Sequence, residues 1–231
     1  MINPEIFKAY DVRGLSPEQL GPDEARAIGV GFAKFAAARS IAVGHDCRLT
    51  SPSLSDAVIA GITSQGVDVV YLGEITTDML YYYSGAADMP GLVITASHNP
   101  PEYNGMKLCL AGAAPVGVDT GLAEVKAIAL NQPPAAAMTG AVVDEDALAG
   151  YVDHLFSIVD LENFKPMRVA IDGGNGMAGV AVPEVFGRTP AEVLGLYLEP
   201  DGTFPNHPAD PLRPENLVDL QNLMDREKPD L

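Results

Sequence analysis

Residues 91–110, GLVITASHNPPEYNGMKLCL, place a polar loop between two apolar runs. The run at 91–94 has the composition of a buried strand, and the chain returns through a second apolar run at 106–110. Between them, Asn-Pro-Pro at 99–101 breaks the strand, because proline cannot donate to a strand ladder. Asn-Gly at 104–105 predicts a further turn. The stretch therefore predicts a stiff loop held between buried strands.

This loop displays four groups with useful chemistry: the Ser97 hydroxyl, the His98 imidazole, the Asn99 carboxamide and, past the predicted turn, the Lys107 ammonium group. A small nucleophile among hydrogen-bond donors and one cation suits a phosphoryl group. The dipeptide Ser97-His98 alone is more typical of an ordinary surface loop. It is not a hydrolytic dyad, because adjacent residues on a bent loop do not reliably bring an imidazole to a hydroxyl.

The chain on the amino-terminal side alternates helical and strand patterns. Pro22, followed by two acidic residues, begins an amphipathic pattern that predicts a helix over 22–39. The patterns that follow predict a strand at 41–43, a helix at 51–65, a strand at 67–72 and a helix around 78–84. Helices and strands at these spacings predict α/β units with flanking helices around a mixed, mostly buried sheet.

A Pro- and Ala-rich stretch at 131–140 reads as a linker, so we expect two domains, 1–140 and 141–231. The second domain repeats the α/β pattern. The predicted elements are a helix at 144–159, a strand at 168–172, a helix at 178–187, a strand at 193–198 and a helix at 215–227.

Composition narrows the class of partner. The net charge of −17 argues against nucleic acid, because binding a phosphate backbone needs clustered Lys and Arg. No apolar stretch is long enough to cross a membrane, and two cysteines make no disulfide framework, so we expect a cytoplasmic protein. Residues 1–110 carry only −5 of the charge, so an anionic ligand would prefer this part, where Arg13, Arg48 and Lys107 can form a positive pocket. The alternative, which composition alone favours, is that these are ordinary solvated charges.

A different class of function is suggested by Gly174-Asn-Gly-Met-Ala-Gly179. This G-x-G-x-x-G follows a predicted strand and precedes a helix, and Glu199 closes the next strand, as in NAD(P)-binding oxidoreductases. Asp172 and Gly173 weaken the match, because they separate the apolar strand from the first motif glycine and the carboxylate would repel a pyrophosphate. The four histidines lie too far apart in sequence to predict a metal site.

The loop string resembles the phosphoserine loop of the α-D-phosphohexomutases, in which Thr-Ala-Ser-His-Asn-Pro is followed by Asn-Gly-x-Lys. Four further segments resemble motifs of the same family and occur in its order. The opening one, with its Tyr-Asp-x-Arg-Gly form, is similar to the bacterial phosphomannomutase/phosphoglucomutase branch. These segments are Phe7–Gly14, Val43–Pro52, Val169–Gly176 and Asp201–His207.

The resemblance implies a phosphohexomutase that interconverts hexose 1-phosphate and hexose 6-phosphate of mannose, glucose or both. Phosphorylated Ser97 would give its phosphoryl group to the sugar, form a hexose 1,6-bisphosphate, and recover the other phosphate after the intermediate reorients. The resemblance implies Mg²⁺ bound through the Ser97 phosphate. It also implies catalytic roles for Lys107, Arg13 and His98, and substrate contacts from Tyr10, Arg13 and Ser97.

One departure from the family pattern concerns the metal loop, usually Asp-Gly-Asp-x-Asp-Arg, which does not occur in these 231 residues. In the family it follows a segment like Lys228–Leu231. The chain therefore looks like domain 1 and an incomplete domain 2 of a four-domain enzyme, and we expect no turnover from it alone. A non-catalytic sugar-phosphate-binding module is the other possibility. The sequence leaves the choice between glucose and mannose, and the oligomeric state, open.

Overall fold

The computed structural model describes residues 2–159 and 165–231. The chain divides into two compact units. One comprises Met1–Ala96 and Glu102–Ala147, and the other comprises Ser97–Pro101 and Leu148–Leu231. That residues 1–140 and 141–231 are separate domains stays a prediction.

The first unit contains seven strands and four α-helices, and each main element predicted from the sequence is present. In chain order the elements are β1 (Val12–Leu15), α1 (Pro22–Ala36), β2 (Ser40–His45), α2 (Ser51–Thr63), β3 (Asp68–Glu74), α3 (Thr77–Ala87), β4 (Gly91–Ile94), β5 (Tyr103–Leu110), β6 (Ala114–Pro115), α4 (Leu122–Asn131) and β7 (Val142–Asp144). Short 3₁₀ turns lie at Pro4–Ile6, Ala111–Ala113 and Val118–Thr120. The predicted α/β class is confirmed.

These strands form one mixed sheet in the order β1-β5-β4-β2-β3-β7, with β6 beside β5. Strands β4, β2, β3 and β7 run parallel, whereas β5 runs antiparallel to both β4 and β1. Every residue of β4 is buried, as the unbroken apolar run predicts for a strand covered on both faces. The connection from β4 to β5 carries Ser97, and β1 places Arg13 beside β5.

Helices α1 and α2 pack with their backbones unusually close. A Cβ atom on Gly29 would lie 2.4 Å from the Val58 carbonyl oxygen, and one on Gly61 would lie 2.1 Å from the Arg26 carbonyl oxygen. Both distances are far inside van der Waals contact, so only glycine permits this approach. The contact fixes how the two helices cover the sheet.

Two predictions for this unit are wrong in detail. Asn104 and Gly105 do not form a turn. They lie inside β5, opposite Gly14 and Arg13 of β1. Asn104 is completely buried, and its side-chain amide is hydrogen-bonded within the protein. The helix predicted from residue 144 begins later, because Val142–Asp144 pairs with β3 as strand β7. Both errors concern pairing with distant segments.

The second unit contains α5 (Leu148–Ile158), β8 (Arg168–Asp172), α6 (Ala178–Phe186), β9 (Glu192–Leu196), a 3₁₀ turn (Pro214–Leu217) and α7 (Val218–Glu227). Strands β8 and β9 are parallel and are joined through α6, as the sequence pattern predicts. On the other side of β8, Asp230 donates its backbone N–H to the Arg168 carbonyl at 2.8 Å. Across the described ranges, helices that are both long and apolar enough to cross a membrane are absent.

Candidate active site

Ser97 lies on the exposed loop that joins β4 to β5, where the sequence predicts it. Its hydroxyl is 3.3 Å from Nδ1 of His98, which is also exposed. The backbone of Ser97 has φ of +55°, a left-handed conformation that residues other than glycine seldom adopt. Such conformations concentrate at functional sites, where the surrounding structure holds them in place. The loop thus presents one hydroxyl to solvent in a constrained conformation.

Two strands of the first unit bring Arg13 and Lys107 to one carboxylate. Arg13 donates from Nη2 to Asp11 Oδ2, and Lys107 Nζ lies 3.9 Å from the same oxygen. Because Arg13 is opposite Gly105 in the β1–β5 register, it shares a face of the sheet with Lys107 two positions further on. Both cationic side chains are about one-quarter exposed.

The charge of this cluster is unbalanced. Asp11 supplies one negative charge, whereas Arg13 and Lys107 supply two positive ones, and both cationic side chains are partly exposed. A guanidinium and an ammonium group so placed can hold the oxygens of a phosphate. Arg13 and Lys107 thus meet at one carboxylate, and their use as a positive pocket for an anion stays a prediction.

That prediction is wrong for Arg48, which is 1% exposed. Its Nε lies 3.3 Å from Asp46 Oδ2, and its Nη1 donates to the Tyr103 carbonyl at 3.0 Å. Burial lowers the pKa of the Arg48 guanidinium, and the neighbouring Asp46 charge opposes that shift. A side chain without access to solvent cannot take a surface anion, so Arg48 has a different role.

Tyr10 is 82% exposed and precedes Asp11 directly. The turn that carries it is closed by a hydrogen bond from the Lys8 N–H to the Asp11 carbonyl at 2.8 Å. An aromatic ring is stabilised when its apolar surface is buried. The exposed Tyr10 ring, beside a cationic cluster, is therefore available to contact a ligand. Its contact with substrate stays a prediction.

Two other polar residues, His45 at the end of β2 and Cys47 just after it, have structural rather than catalytic roles. The ring of His45 hydrogen-bonds the Asp46 carbonyl at 2.8 Å and the Tyr71 hydroxyl at 2.9 Å. Burial, together with the charges of Asp46 and Glu74, raises the pKa of the Cys47 thiol to about 11. Cys47 is therefore a thiol at neutral pH and a poor nucleophile.

The sequence predicts one metal ligand in this chain, the phosphate on Ser97, because the aspartate loop of the family does not occur in it. Within residues 2–159 and 165–231, no group of three or more His, Cys, Asp or Glu side chains is arranged to hold a metal ion. These residues do not by themselves fit Mg²⁺, and its binding through phosphorylated Ser97 stays a prediction.

Backbone N–H groups of the glycine-rich turn after β8 donate hydrogen bonds to other groups of the protein. The Gly174 N–H donates to Asp172 Oδ1 at 2.9 Å, and the Asn175 N–H donates to the Tyr197 carbonyl at 2.8 Å. A Cβ on Gly179 would lie 1.5 Å from the Leu198 carbonyl oxygen, which explains that glycine by packing. A dinucleotide site needs such amides for its pyrophosphate, so these contacts disfavour the oxidoreductase alternative.

We expect neither NAD nor NADP to raise the melting temperature of the protein at millimolar concentration. A ligand that binds the native state stabilises it by about 2.7 kcal/mol at a hundredfold excess over Kd. Differential scanning fluorimetry over a nucleotide titration measures this, with hexose phosphate as a parallel ligand. A saturable shift with either dinucleotide would contradict the structural interpretation of residues 174–179.

His207, for which the sequence suggests no role, is paired with Asp172. Its Nε2 lies 3.1 Å from Asp172 Oδ2, and its Nδ1 lies 2.9 Å from the Pro208 carbonyl oxygen. Burial disfavours the charged ring, but the hydrogen bonds to Pro208 and Asp172 outweigh it and raise the pKa of His207. The pair joins the long loop after β9 to the end of β8.

Family models match almost the whole chain. The model described as phosphoglucomutase/phosphomannomutase, alpha/beta/alpha domain I, matches residues 4–133, and the model for domain II matches residues 149–231. A phosphoglucomutase from Neisseria gonorrhoeae is 40% identical over 224 residues, covering 95% of this chain and 48% of the relative. A phosphomannomutase from Escherichia coli strain K12 is 39% identical over 225 residues, covering 94% and 49%.

A solved structure has the same fold. The phosphoglucomutase/phosphomannomutase family protein from Burkholderia thailandensis superposes with a TM-score of 0.90 at 31% identity, covering 99% of this chain and 52% of that one. The chain thus spans about half the length of the curated relatives it matches. The two family matches, together with the exposed Ser97 loop, show that the chain belongs to the phosphoglucomutase/phosphomannomutase family.

Proposed function

We propose that the full-length protein is a phosphohexomutase that interconverts hexose 1-phosphate and hexose 6-phosphate through phosphorylated Ser97. The observation that carries the proposal is the exposed Ser97 hydroxyl, held in a left-handed conformation on the β4–β5 loop. Relatives named phosphoglucomutase and phosphomannomutase, matched over nearly all of this chain, support the same reaction class.

The chemistry is two phosphoryl transfers in opposite directions. In the first, a free sugar hydroxyl attacks phosphorylated Ser97; the P–O bond to Ser97 breaks, a P–O bond to the sugar forms, and the hydroxyl proton is given up. Hexose 1,6-bisphosphate results, and Ser97 recovers its hydroxyl proton. After the bisphosphate reorients, Ser97 attacks the other phosphate and the product monophosphate leaves. Catalysis here depends mainly on positioning and charge neutralisation.

The described residues fit the roles that these steps require. Arg13 and Lys107 carry the net positive charge that an anionic sugar phosphate needs, and Lys107 is the group proposed to stabilise the transferring phosphoryl group. His98 is a hydrogen-bonding neighbour of the Ser97 oxygen, and exposed Tyr10 is proposed to contact the sugar. The proposal includes Mg²⁺, bound through the Ser97 phosphate. It also includes hexose 1,6-bisphosphate, as intermediate and activator.

The proposed ligand is a small anionic sugar, and the proposed location is the cytoplasm. The net charge of −17 argues against a nucleic-acid partner, whereas the local Arg13–Lys107 cluster suits a small phosphate. The competing proposal is a module that binds sugar phosphate without turning it over. The two differ in whether Ser97 is modified.

The test is a coupled assay of the full-length protein with glucose 1-phosphate and mannose 1-phosphate, followed by peptide mass spectrometry. We expect turnover with at least one sugar, and one phosphoryl group on Ser97 after incubation with hexose 1,6-bisphosphate. Binding without turnover, and with Ser97 unmodified, would favour the non-catalytic module. A phosphoryl group on another serine would remove Ser97 from its role.

A further inference from the structure

Arg48 has the largest side chain among the fully buried residues that the structure describes. A buried guanidinium is costly unless its charge is paired and its N–H groups are hydrogen-bonded. Asp46 supplies the charge, and the Tyr103 carbonyl takes a hydrogen bond from the other end of the fork. Buried ion pairs add little net stability compared with apolar packing, so stability alone does not account for this arrangement.

The ion pair is the centre of a larger polar network. Asp46 Oδ1 accepts hydrogen bonds from the Arg48 N–H at 3.0 Å and from the Ser51 hydroxyl. Ser51 and Thr50 in turn accept from the Asn104 amide, each at 2.9 Å. The segment after β2 is thereby tied to the first residues of β5, more than fifty positions away in sequence.

The network holds both ends of the Ser97 loop. At the departing end, the Asp46 N–H donates to the Ile94 carbonyl at 2.9 Å, at the end of β4. At the returning end, Arg48 holds the Tyr103 carbonyl and the Asn104 side chain accepts the Gly105 N–H at 2.8 Å. The two ends are also joined to each other, since the Thr95 N–H donates to the Gly105 carbonyl at 2.9 Å.

We infer that Arg48, held by Asp46, is a positioning residue for phosphoryl transfer. It fixes the returning end of the loop at Tyr103, and so it constrains the segment that carries Ser97. The inference rests on the proposed function of Ser97. Arg48 does not touch substrate, because its side chain is 1% exposed. A misplacement of about 1 Å is enough to cost roughly 100-fold in rate.

The test compares Arg48→Met and Arg48→Lys with Val58→Ala in the full-length protein. Val58 is fully buried on α2, so its truncation weakens the same unit without touching the network. Arg48→Lys keeps a positive charge beside Asp46 but lacks the planar fork that reaches two partners. If Arg48→Met does not fold, the comparison of Arg48→Lys with Val58→Ala tests the inference. All rates are compared below the melting temperature of every variant.

We expect kcat to fall about 100-fold in Arg48→Met and about 10-fold in Arg48→Lys, with KM for hexose phosphate nearly unchanged. Hydrogen–deuterium exchange should accelerate in peptides covering residues 95–107 in the Arg48 variants. Val58→Ala should keep kcat and the exchange of that segment. Equal loss of kcat in Val58→Ala, or a loss in the Arg48 variants without faster exchange, overturns the inference, as does wild-type kcat in Arg48→Lys.

The exchange measurement keeps this inference separate from the proposed function. If the wild-type protein shows no turnover and no phosphorylated Ser97, the proposed function fails. The exchange of residues 95–107 in Arg48→Lys against Val58→Ala then decides whether Arg48 holds the loop. Unchanged exchange in both variants would overturn the positioning role whatever the activity.

Discussion

Replacing Ser97 with alanine is expected to lower mutase kcat of the full-length protein by at least about 10³-fold. Alanine has no oxygen to carry the phosphoryl group, and removal of a covalent nucleophile generally costs this much or more. Stability should change by less than about 0.5 kcal/mol, because Ser97 is exposed and sits on a loop. The measurement is the coupled assay, with phosphate incorporation followed by mass spectrometry and folding by circular dichroism.

Ser157→Ala is a matched control for this variant. Ser157 is also exposed, and its hydroxyl donates to the His154 carbonyl, three residues earlier in α5, at 2.6 Å. We expect wild-type kcat and normal phosphorylation of Ser97 in the control. Undiminished turnover in Ser97→Ala would show that another residue carries the phosphoryl group.

The largest expected effect on stability comes from Gly61→Ala. Alanine is preferred to glycine inside a helix by roughly 1 kcal/mol, but the new Cβ would lie 2.1 Å from the Arg26 carbonyl oxygen. Helices α1 and α2 would have to separate by more than 1 Å, and overpacking of this kind typically costs about 1–3 kcal/mol or more. We expect a net loss of about 3 kcal/mol, near the upper end of that range, in the free energy of unfolding of the first unit, measured by urea titration.

Gly85→Ala is the matched control, because it makes the same change inside a helix with open space around it. Among residues 2–159 and 165–231, apart from its chain neighbours and its own helix backbone, no atom lies within 4 Å of a Cβ built on Gly85, which is exposed on α3. This variant should stabilise the unit by about 0.5–1 kcal/mol through helix propensity alone. Equal effects of the two substitutions would show that close packing of α1 on α2 is not what makes Gly61 necessary.

The glycine-rich segment shows where a sequence pattern and its structural cause diverge. Residues 174–179 match a dinucleotide motif, yet the pattern does not reveal that the Asn175 N–H is used by the Tyr197 carbonyl. Nor does it reveal that Gly179 is needed for contact with Leu198. A motif records residue types and spacing, whereas the availability of its amides depends on what the rest of the chain donates to them.

The sequence by itself determined the α/β class, the order of the main elements and the exposed Ser97 loop, because these follow from local periodicity and from prolines that stop a strand. Only the tertiary structure decided that Arg48 is buried and that Asn104 lies inside β5. Locally, Arg48 looks like a surface cation and Asn104-Gly105 looks like a turn. Arg48 pairs with its neighbour Asp46, but the Tyr103 carbonyl that completes its hydrogen bonding lies more than fifty residues away, as do the hydroxyl partners of Asn104. A buried polar group is stable only where its hydrogen bonds are completed, and here distant segments complete them.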